Sequence, residues 1–384
     1  MNLNSKKGQS RHRRASDSDP APRGSPFDHA YAVIMAGGSG TRFWPFSRRK
    51  HPKQLLRIFG KNTLLEQTME RIESVIPPER TFVFTSEFVR DAIIRLLPRV
   101  PQDQIVAEPV GRNTAPTIGM AAHEVLRLDR DGLMVVLPSD HVISKPAAFR
   151  GALRSACRWA GVEGRSVILG IKPTHPHTGY GYVKLGPHTG TADGHAIHRV
   201  EKFTEKPELR LARRYVASGK YSWNSGMFIW RASTLLANLE HYQPRMGMLL
   251  AQIAMDGGVR NGETFRRIFP RLEKISVDYA LMQQIPEVYG IAVDIGWSDV
   301  GSWAVAYDLH PKDENANVQP PDAIAIESNG NMIVSPRKTV VTVGVHDLVI
   351  VETDDALLVS SREGSQEVGK AVEALERQGR KDLL

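Results

Sequence analysis

From residue 31 the chain alternates between short apolar runs and longer stretches with helical spacing. Residues 31–36 form one continuous apolar run, as expected of a strand buried on both faces. A glycine-rich loop follows. Thr63, with Glu66 three residues on, makes a capping box, and Leu64, Leu65, Met69, Ile72 and Ile76 carry a helical pattern as far as Pro77-Pro78. Further strands are predicted at 81–86, 104–108, 133–138 and 167–171, separated by helices at 87–97, 114–130 and 147–160. Such alternation implies an α/β fold with a mixed, mostly parallel sheet between helices. Ligands of such sheets sit beyond the carboxyl ends of the strands. Residues 37–42, 108–113 and 139–141 therefore share one rim.

The middle of the chain is less regular. Strands are predicted at 182–184 and 227–230, and helical segments fill much of the next sixty residues. Beyond about residue 320 the texture changes to short strands at 322–327, 332–335, 339–343, 348–352 and 356–360. Asn329-Gly330 and Asp354-Asp355 supply turns between them, and an amphipathic helix at 366–378 closes the segment. The expected organisation is a disordered leader over 1–29, a catalytic domain over 30–315, and a small β module over 316–384. The short strands resemble one another without a strict repeat.

Composition narrows the class. The 384 residues are 41% hydrophobic and 24% charged, which excludes wholesale disorder, a collagen-like polymer and a long coiled coil. The single cysteine, Cys157, excludes an intrachain disulfide and a Cys-rich zinc site. No apolar run reaches the roughly 18 residues of a membrane span, and the polar N-terminus lacks a signal core. The expectation is a cytoplasmic protein. Of the net charge of +8, the leader carries a share, with six cations against three carboxylates before residue 30. The rest is spread too thinly for a nucleic-acid binder but suits free phosphates.

The strongest chemical signal is Ala36-Gly37-Gly38-Ser39-Gly40-Thr41-Arg42-Phe43-Trp44-Pro45. Glycines directly after a buried strand let backbone N–H groups approach a phosphate or a base edge. No Gly-Lys-Ser/Thr follows, so this is not a P-loop, and Phe43 occupies the third glycine position of the dinucleotide fingerprint. Arg42 and Lys53 add two cations suited to a polyphosphate. Asp140 ends an apolar strand on the same rim. Asp299 sits at another junction, with Asp294 as a nearby rival.

These residues resemble the sugar-1-phosphate nucleotidylyltransferases. Gly-Gly-Ser-Gly-Thr-Arg-x-Trp-Pro-x-Ser-Arg followed by Pro52-Lys53-Gln54-Leu55 is similar to the mannose-1-phosphate guanylyltransferase version of that family's signature. Later segments agree in order: Gly111-Arg112-Asn113-Thr114-Ala115-Pro116, Pro138-Ser139-Asp140-His141, Thr178-Gly179-Tyr180-Gly181-Tyr182, Phe203-Thr204-Glu205-Lys206-Pro207, Trp223-Asn224-Ser225-Gly226, and Gly296-Trp297-Ser298-Asp299-Val300-Gly301. The resemblance implies a Rossmann-like nucleotidyltransferase domain with a left-handed β-helix-like module behind it. It also implies transfer of GMP from GTP to mannose 1-phosphate, with release of pyrophosphate. Arg42 and Lys53 would be catalytic on the triphosphate. Gly37, Gly38, Gly40, Thr41, Glu108, Pro109, Asn113 and Asp140 would meet the nucleotide. Gly179, Tyr180, Gly181, Glu205, Lys206 and Asn224 would meet the sugar phosphate, and Asp140 and Asp299 would hold Mg2+.

The choice of guanine rests on the resemblance alone. Another sugar or nucleotide, such as glucose 1-phosphate with UTP or dTTP, or a non-catalytic regulatory homologue, are the competing expectations. Because the chain stops at Leu384, transferase activity without an isomerase is expected, together with a possible homodimer through the β module. His175 and His177 read as solvated, Cys157 as a buried apolar residue, and Trp159, Trp223 and Trp230 as core. Arg210, Arg213 and Arg214 read as a solvated face.

Overall fold

The structure, a computed structural model, describes residues 24–38, 40–162 and 164–384. The first half builds one sheet edge. Strands β1 (Ala30–Met35), β2 (Thr81–Ser86), β3 (Ile105–Glu108) and β4 (Leu133–Pro138) pair in parallel in the order β3-β2-β1-β4. Their residues are almost uniformly buried because helices cover both faces: α1 (Leu64–Ile72), α2 (Arg90–Leu96), α3 (Thr114–Leu128) and α4 (Pro146–Ala160). Helix α1 starts where the capping box predicts, with Thr63 and Glu66 bonded reciprocally.

The sheet continues with β6 (Ser166–Ile171), β7 (Tyr182–Ala192), β8 (His195–Thr204), β9 (Tyr221–Arg231) and β10 (Val288–Val293). A two-residue strand, β5 (Val142–Ile143), stands apart from it. The full order is β3-β2-β1-β4-β9-β6-β10-β8-β7, and only β8 and β9 run against the others. Three expectations change here. The strand at 182–184 runs on to Ala192, β8 pairs with it as a hairpin, and β10 begins in the last residues of the stretch read as mostly helical and runs past it. Much of that hairpin is exposed, so its polar residues give no apolar alternation. Helices α5 (Leu209–Ser218), α6 (Ala232–Tyr242), α7 (Pro244–Met255) and α8 (Gly262–Ile268) fill the connections.

Phe27, inside the stretch read as leader, is buried in the core, and Arg80 donates to its carbonyl at 2.9 Å. Ordered chain thus begins before residue 30. The rest of the leader, residues 1–23, lies outside the described residues.

After β11 (Trp297–Ser298) and α9 (Trp303–Leu309) comes the β module: β12 (Ile324–Ile326), β13 (Met332–Val334), β14 (Val341–Val343), β15 (Leu348–Glu352) and β16 (Leu357–Ser361), then α10 (Val368–Arg377). Ile324 pairs in parallel with Val341, and Met332 with Val349, each seventeen residues on. That constant offset is one turn of a β-helix, a repeat held in pairing geometry rather than in residue identity. Asn331 donates to Asn317 Oδ1 (3.2 Å) in the module's interior.

The module does not pack alone. Phe43 and Trp44 of the glycine-rich loop, Val300 and Trp303 beside Asp299, and Met332, Val349, Val351, Leu358 and Val368 of the module form one buried cluster. Arg48–Asp355 (2.8 Å) and Arg49–Glu376 (2.6 Å) add ion pairs across the same seam. No helix among the described residues is long and apolar enough to cross a membrane.

Candidate active site

The carboxyl end of β1 opens into the glycine loop, and the loop's backbone is pinned from behind. Gln54 donates to the Ala36 carbonyl (2.6 Å), as does Thr85 (3.0 Å), and Ser47 donates to the Gly40 carbonyl (2.8 Å). Gly40 has φ +61°, and a Cβ there would collide with the Lys53 side chain. Gly37 and Gly38 instead face open space, as a ligand approach requires.

Lys53 is the hub. It is buried, with 6% of its surface exposed, and its ammonium donates to Asp140 Oδ2 (2.9 Å) and to the Asp299 carbonyl (2.6 Å). Burial by itself would raise the Asp140 carboxyl, but the charge and hydrogen bond of Lys53 outweigh it and hold the group below its ordinary range. Two loops far apart in sequence meet here through a minimal ladder. Trp297 pairs with Ile143 and Ser298 with Val142, so continuing the register sets His141 across from Asp299 and Asp140 across from Val300. Trp297 Nε1 donates to His141 Nδ1 at 3.1 Å, a second tie between the loops. Val300 sits at φ +47°, a costly conformation for a β-branched residue. Asn113 (φ +66°) and Lys206 (φ +46°) share this feature.

Tyr180 donates to Asp299 Oδ1 at 2.6 Å. Its ring stacks on His177 (3.8 Å between centroids) and meets Trp223 and Trp297 edge-on at 5.1 and 5.5 Å. His177, read from sequence as solvated, joins Trp223, buried in the core as expected, in an aromatic wall beside Asp299. His175 meets Trp223 as well. Asp294, the rival to Asp299, has a side chain 79% exposed and paired with Lys145 at 2.6 Å. Arg42 extends from the loop and donates to Gln366 Oε1 of the β module (3.0 Å), while Gln366 Nε2 donates to Ser302 Oγ (3.2 Å).

On the far side of the rim, Glu108 ends β3 and accepts a hydrogen bond from Thr117 in the first turn of α3. Burial raises its carboxyl to about 7. Asn113 caps the same helix, accepting from the Thr114 N–H (2.8 Å). Pro109 follows Glu108 directly on this rim.

The remaining predicted residues gather around Gly181. A Cβ on Gly181 would strike Glu205 Oε2 and lie 3.1 Å from Asn224 Cβ. The Glu205 side chain is only 9% exposed, and its Oε2 has no hydrogen-bond partner. Lys206, 59% exposed, reaches Glu205 Oε1 at 3.5 Å. Gly179 lies on the loop leading in, its N–H donating to His177. Sequence reasoning missed one member of this group. Asp278, in a π-helical turn (Asp278–Met282), accepts from Asn224 Nδ2 at 2.8 Å. Only the irregular turn could have marked it, and that is invisible in a pattern of side chains.

Burial, reinforced by the charge of Asp278, raises the Glu205 carboxyl to about 7. A carboxyl raised in the folded state stabilises the fold fully below its unfolded value and loses that contribution as pH climbs through 7. Glu205→Gln is therefore expected to melt higher than the parent at pH 8 and nearly with it at pH 5, as measured by thermal denaturation in matched buffers.

A buried lysine is held by the Asp140 carboxylate and the Asp299 backbone carbonyl, a further arginine lies beside open glycines, and Tyr180 links the Asp299 carboxylate toward the group around Gly181 with its unsatisfied acceptor. Such a site can gather two phosphate-bearing substrates and neutralise their charge. Asp140 and Asp299 supply hard oxygen donors suited to a divalent cation completed by phosphate oxygens. Among the described residues no group of three or more His, Cys, Asp or Glu forms a self-sufficient metal cage.

Comparison with known proteins agrees with this geometry. The nucleotidyl transferase family matches residues 31–316, and the MannoseP isomerase/GMP-like beta-helix domain matches residues 322–375. Mannose-1-phosphate guanylyltransferases of Klebsiella pneumoniae and Escherichia coli are each 42% identical to the chain, over 356 and 354 residues. In both cases the match takes in 91% of this chain and 74% of the relative. A solved structure from Thermus thermophilus, described as a mannose-1-phosphate geranyltransferase, superposes with a TM-score of 0.81 at 33% identity, covering 91% of this chain and 99% of that one. With the glycine loop, the lysine hub and the β-helix module all in their matched segments, the chain belongs to the nucleotidyl transferase family.

Proposed function

We infer that the protein is a mannose-1-phosphate guanylyltransferase: it transfers GMP from GTP to mannose 1-phosphate and releases pyrophosphate. The observation that carries this reading is the Lys53 ammonium held between Asp140 and Asp299 at the foot of the glycine loop. The relatives at 42% identity supply the sugar and the base.

In this reading a phosphate oxygen of mannose 1-phosphate attacks the α-phosphorus of GTP. The new P–O bond forms as the bond to the β-phosphate oxygen breaks, and pyrophosphate leaves with its electron pair. Lys53 and Arg42 offset the charge of the triphosphate, whose oxygens meet the backbone of Gly37, Gly38, Gly40 and Thr41. Glu108, Pro109 and Asn113 line the base side. Gly179, Tyr180, Gly181, Glu205 and Asn224 hold the sugar, and Lys206 its phosphate. Asp140 and Asp299 would hold Mg2+, which when bound neutralises charge on the reacting phosphates. Tyr180 keeps Asp299 oriented by its hydroxyl.

Residues 30–315 form the catalytic domain and 316–384 the β module in this reading, and the enzyme works in the cytoplasm. Exposed Ile324, Ile326, Val341 and Val343 on the module support a homodimer through that face.

Pyrophosphate release with GTP, UTP and dTTP, each paired with mannose or glucose 1-phosphate, tests the assignment. GTP with mannose 1-phosphate is expected to exceed every other pair by at least about tenfold and to stop when the divalent cation is chelated. No product from that pair, or a clear preference for another, would overturn it.

A further inference from the structure

The amide of Asn224 is held from both ends by groups of fixed polarity. Its Nδ2 donates to Asp278 Oδ1 (2.8 Å), and its Oδ1 accepts from the Gly226 N–H (3.0 Å). A carboxylate can only accept and a backbone N–H can only donate. Turning the amide over would set oxygen against oxygen and hydrogen against hydrogen. One Nδ2 hydrogen remains for another partner. It lies next to Gly181, where the Glu205 Oε2 acceptor is also left unpaired and buried. A donor and an acceptor thus converge over the one residue that has no side chain to fill the space. A sugar hydroxyl, which donates and accepts at once, matches that pair.

We propose that Asp278 is the positioning residue of the sugar pocket: it locks the Asn224 amide so that this N–H and Glu205 Oε2 together read one hydroxyl of the sugar 1-phosphate. Asp278 acts through Asn224 and does not touch the sugar. Its placement in a π-helical turn is consistent with a local irregularity kept for a function. Burial raises its carboxyl, a cost that the Asn224 and Ser276 hydrogen bonds and the charge of Lys206 partly offset. The inference rests on the substrate assignment above.

Steady-state kinetics on the full chain test it, with GTP and mannose 1-phosphate varied separately. Asp278→Ala is expected to raise KM for mannose 1-phosphate roughly tenfold or more and to leave KM for GTP within about twofold. It should also narrow the preference for mannose over glucose 1-phosphate. Asp278→Asn, whose carbonyl can still accept from Asn224, should restore most of the affinity. In an Asn224→Ala background, Asp278→Ala should add nothing, because the two act as one unit. Asp278→Ser, too short to reach Asn224, repeats the test if the alanine variant does not fold. Equal losses for both substrates, an unchanged KM for the sugar phosphate, or additive effects with Asn224→Ala would overturn the proposal. If the parent enzyme itself makes no product from GTP and mannose 1-phosphate, the substrate assignment fails instead.

Discussion

Asp140→Asn is expected to lower turnover by roughly 10³-fold while leaving the protein folded. The substitution keeps the shape and removes one charge from the hub. Lys53 then keeps a neutral acceptor in place of the carboxylate, and the divalent cation that Asp140 and Asp299 would hold in the proposed function loses a charged ligand. Two polyanions must meet in line at this point, so the loss falls on charge neutralisation rather than on ground-state fit. The decrease should therefore fall mainly on kcat. Activity assays at saturating substrates, beside a thermal melt of the same preparation, check both halves. Retention of more than about a tenth of the parent turnover would remove Asp140 from the machinery.

The second large effect is expected away from the chemistry. Trp303 is 1% exposed, donates from Nε1 to the Trp44 carbonyl at 3.2 Å, and packs against Phe43 and Phe46 at 5.0 and 5.6 Å. It stands just after the Asp299 loop and is packed from the other side by the β module. Trp303→Ala opens a cavity where these three pieces join and is expected to cost about 3–5 kcal/mol. Because the same side chain backs the glycine loop, KM for GTP should rise along with the loss of stability. Denaturant unfolding of Trp303→Ala and Trp303→Phe, followed by GTP titration of each, measures the two effects. The phenylalanine variant should recover most of the stability but not the hydrogen bond to the Trp44 carbonyl, which needs the indole N–H. A fully stable alanine variant would mean that the module and the loop do not share a core.

The residues that meet at this core tie the β module to the rest of the chain. Arg42 leans on Gln366, Gln366 on Ser302, and Trp44 Nε1 on the Leu383 carbonyl at 3.0 Å. Each contact runs from the glycine loop or the Asp299 loop to the end of the chain. Through these contacts the end of the chain backs the glycine loop and the Asp299 loop.

The amino-acid sequence by itself determined the parallel edge β3-β2-β1-β4 and the helices that cover it. There, apolar runs, a capping box and a proline stop agree at every level, so local preference and global fold coincide. It also marked the glycine loop, Lys53, Asp140, Glu205 and Asn224, whose chemistry is carried by residue type and order. Tertiary structure alone decided which of Asp294 and Asp299 faces Lys53, since both sit within six residues and only the two-residue pairing of β5 with β11 sets the register. It alone produced β8 and β10: the first is too polar to show alternation, and the second is an apolar run too short to tell from a buried helix segment. Asp278 belongs to the same class, for a π-helical turn leaves no periodic trace and its partner Asn224 is fifty-four residues away. What a pattern of side chains can encode is which face is buried; which distant groups touch is set by how the buried faces pack.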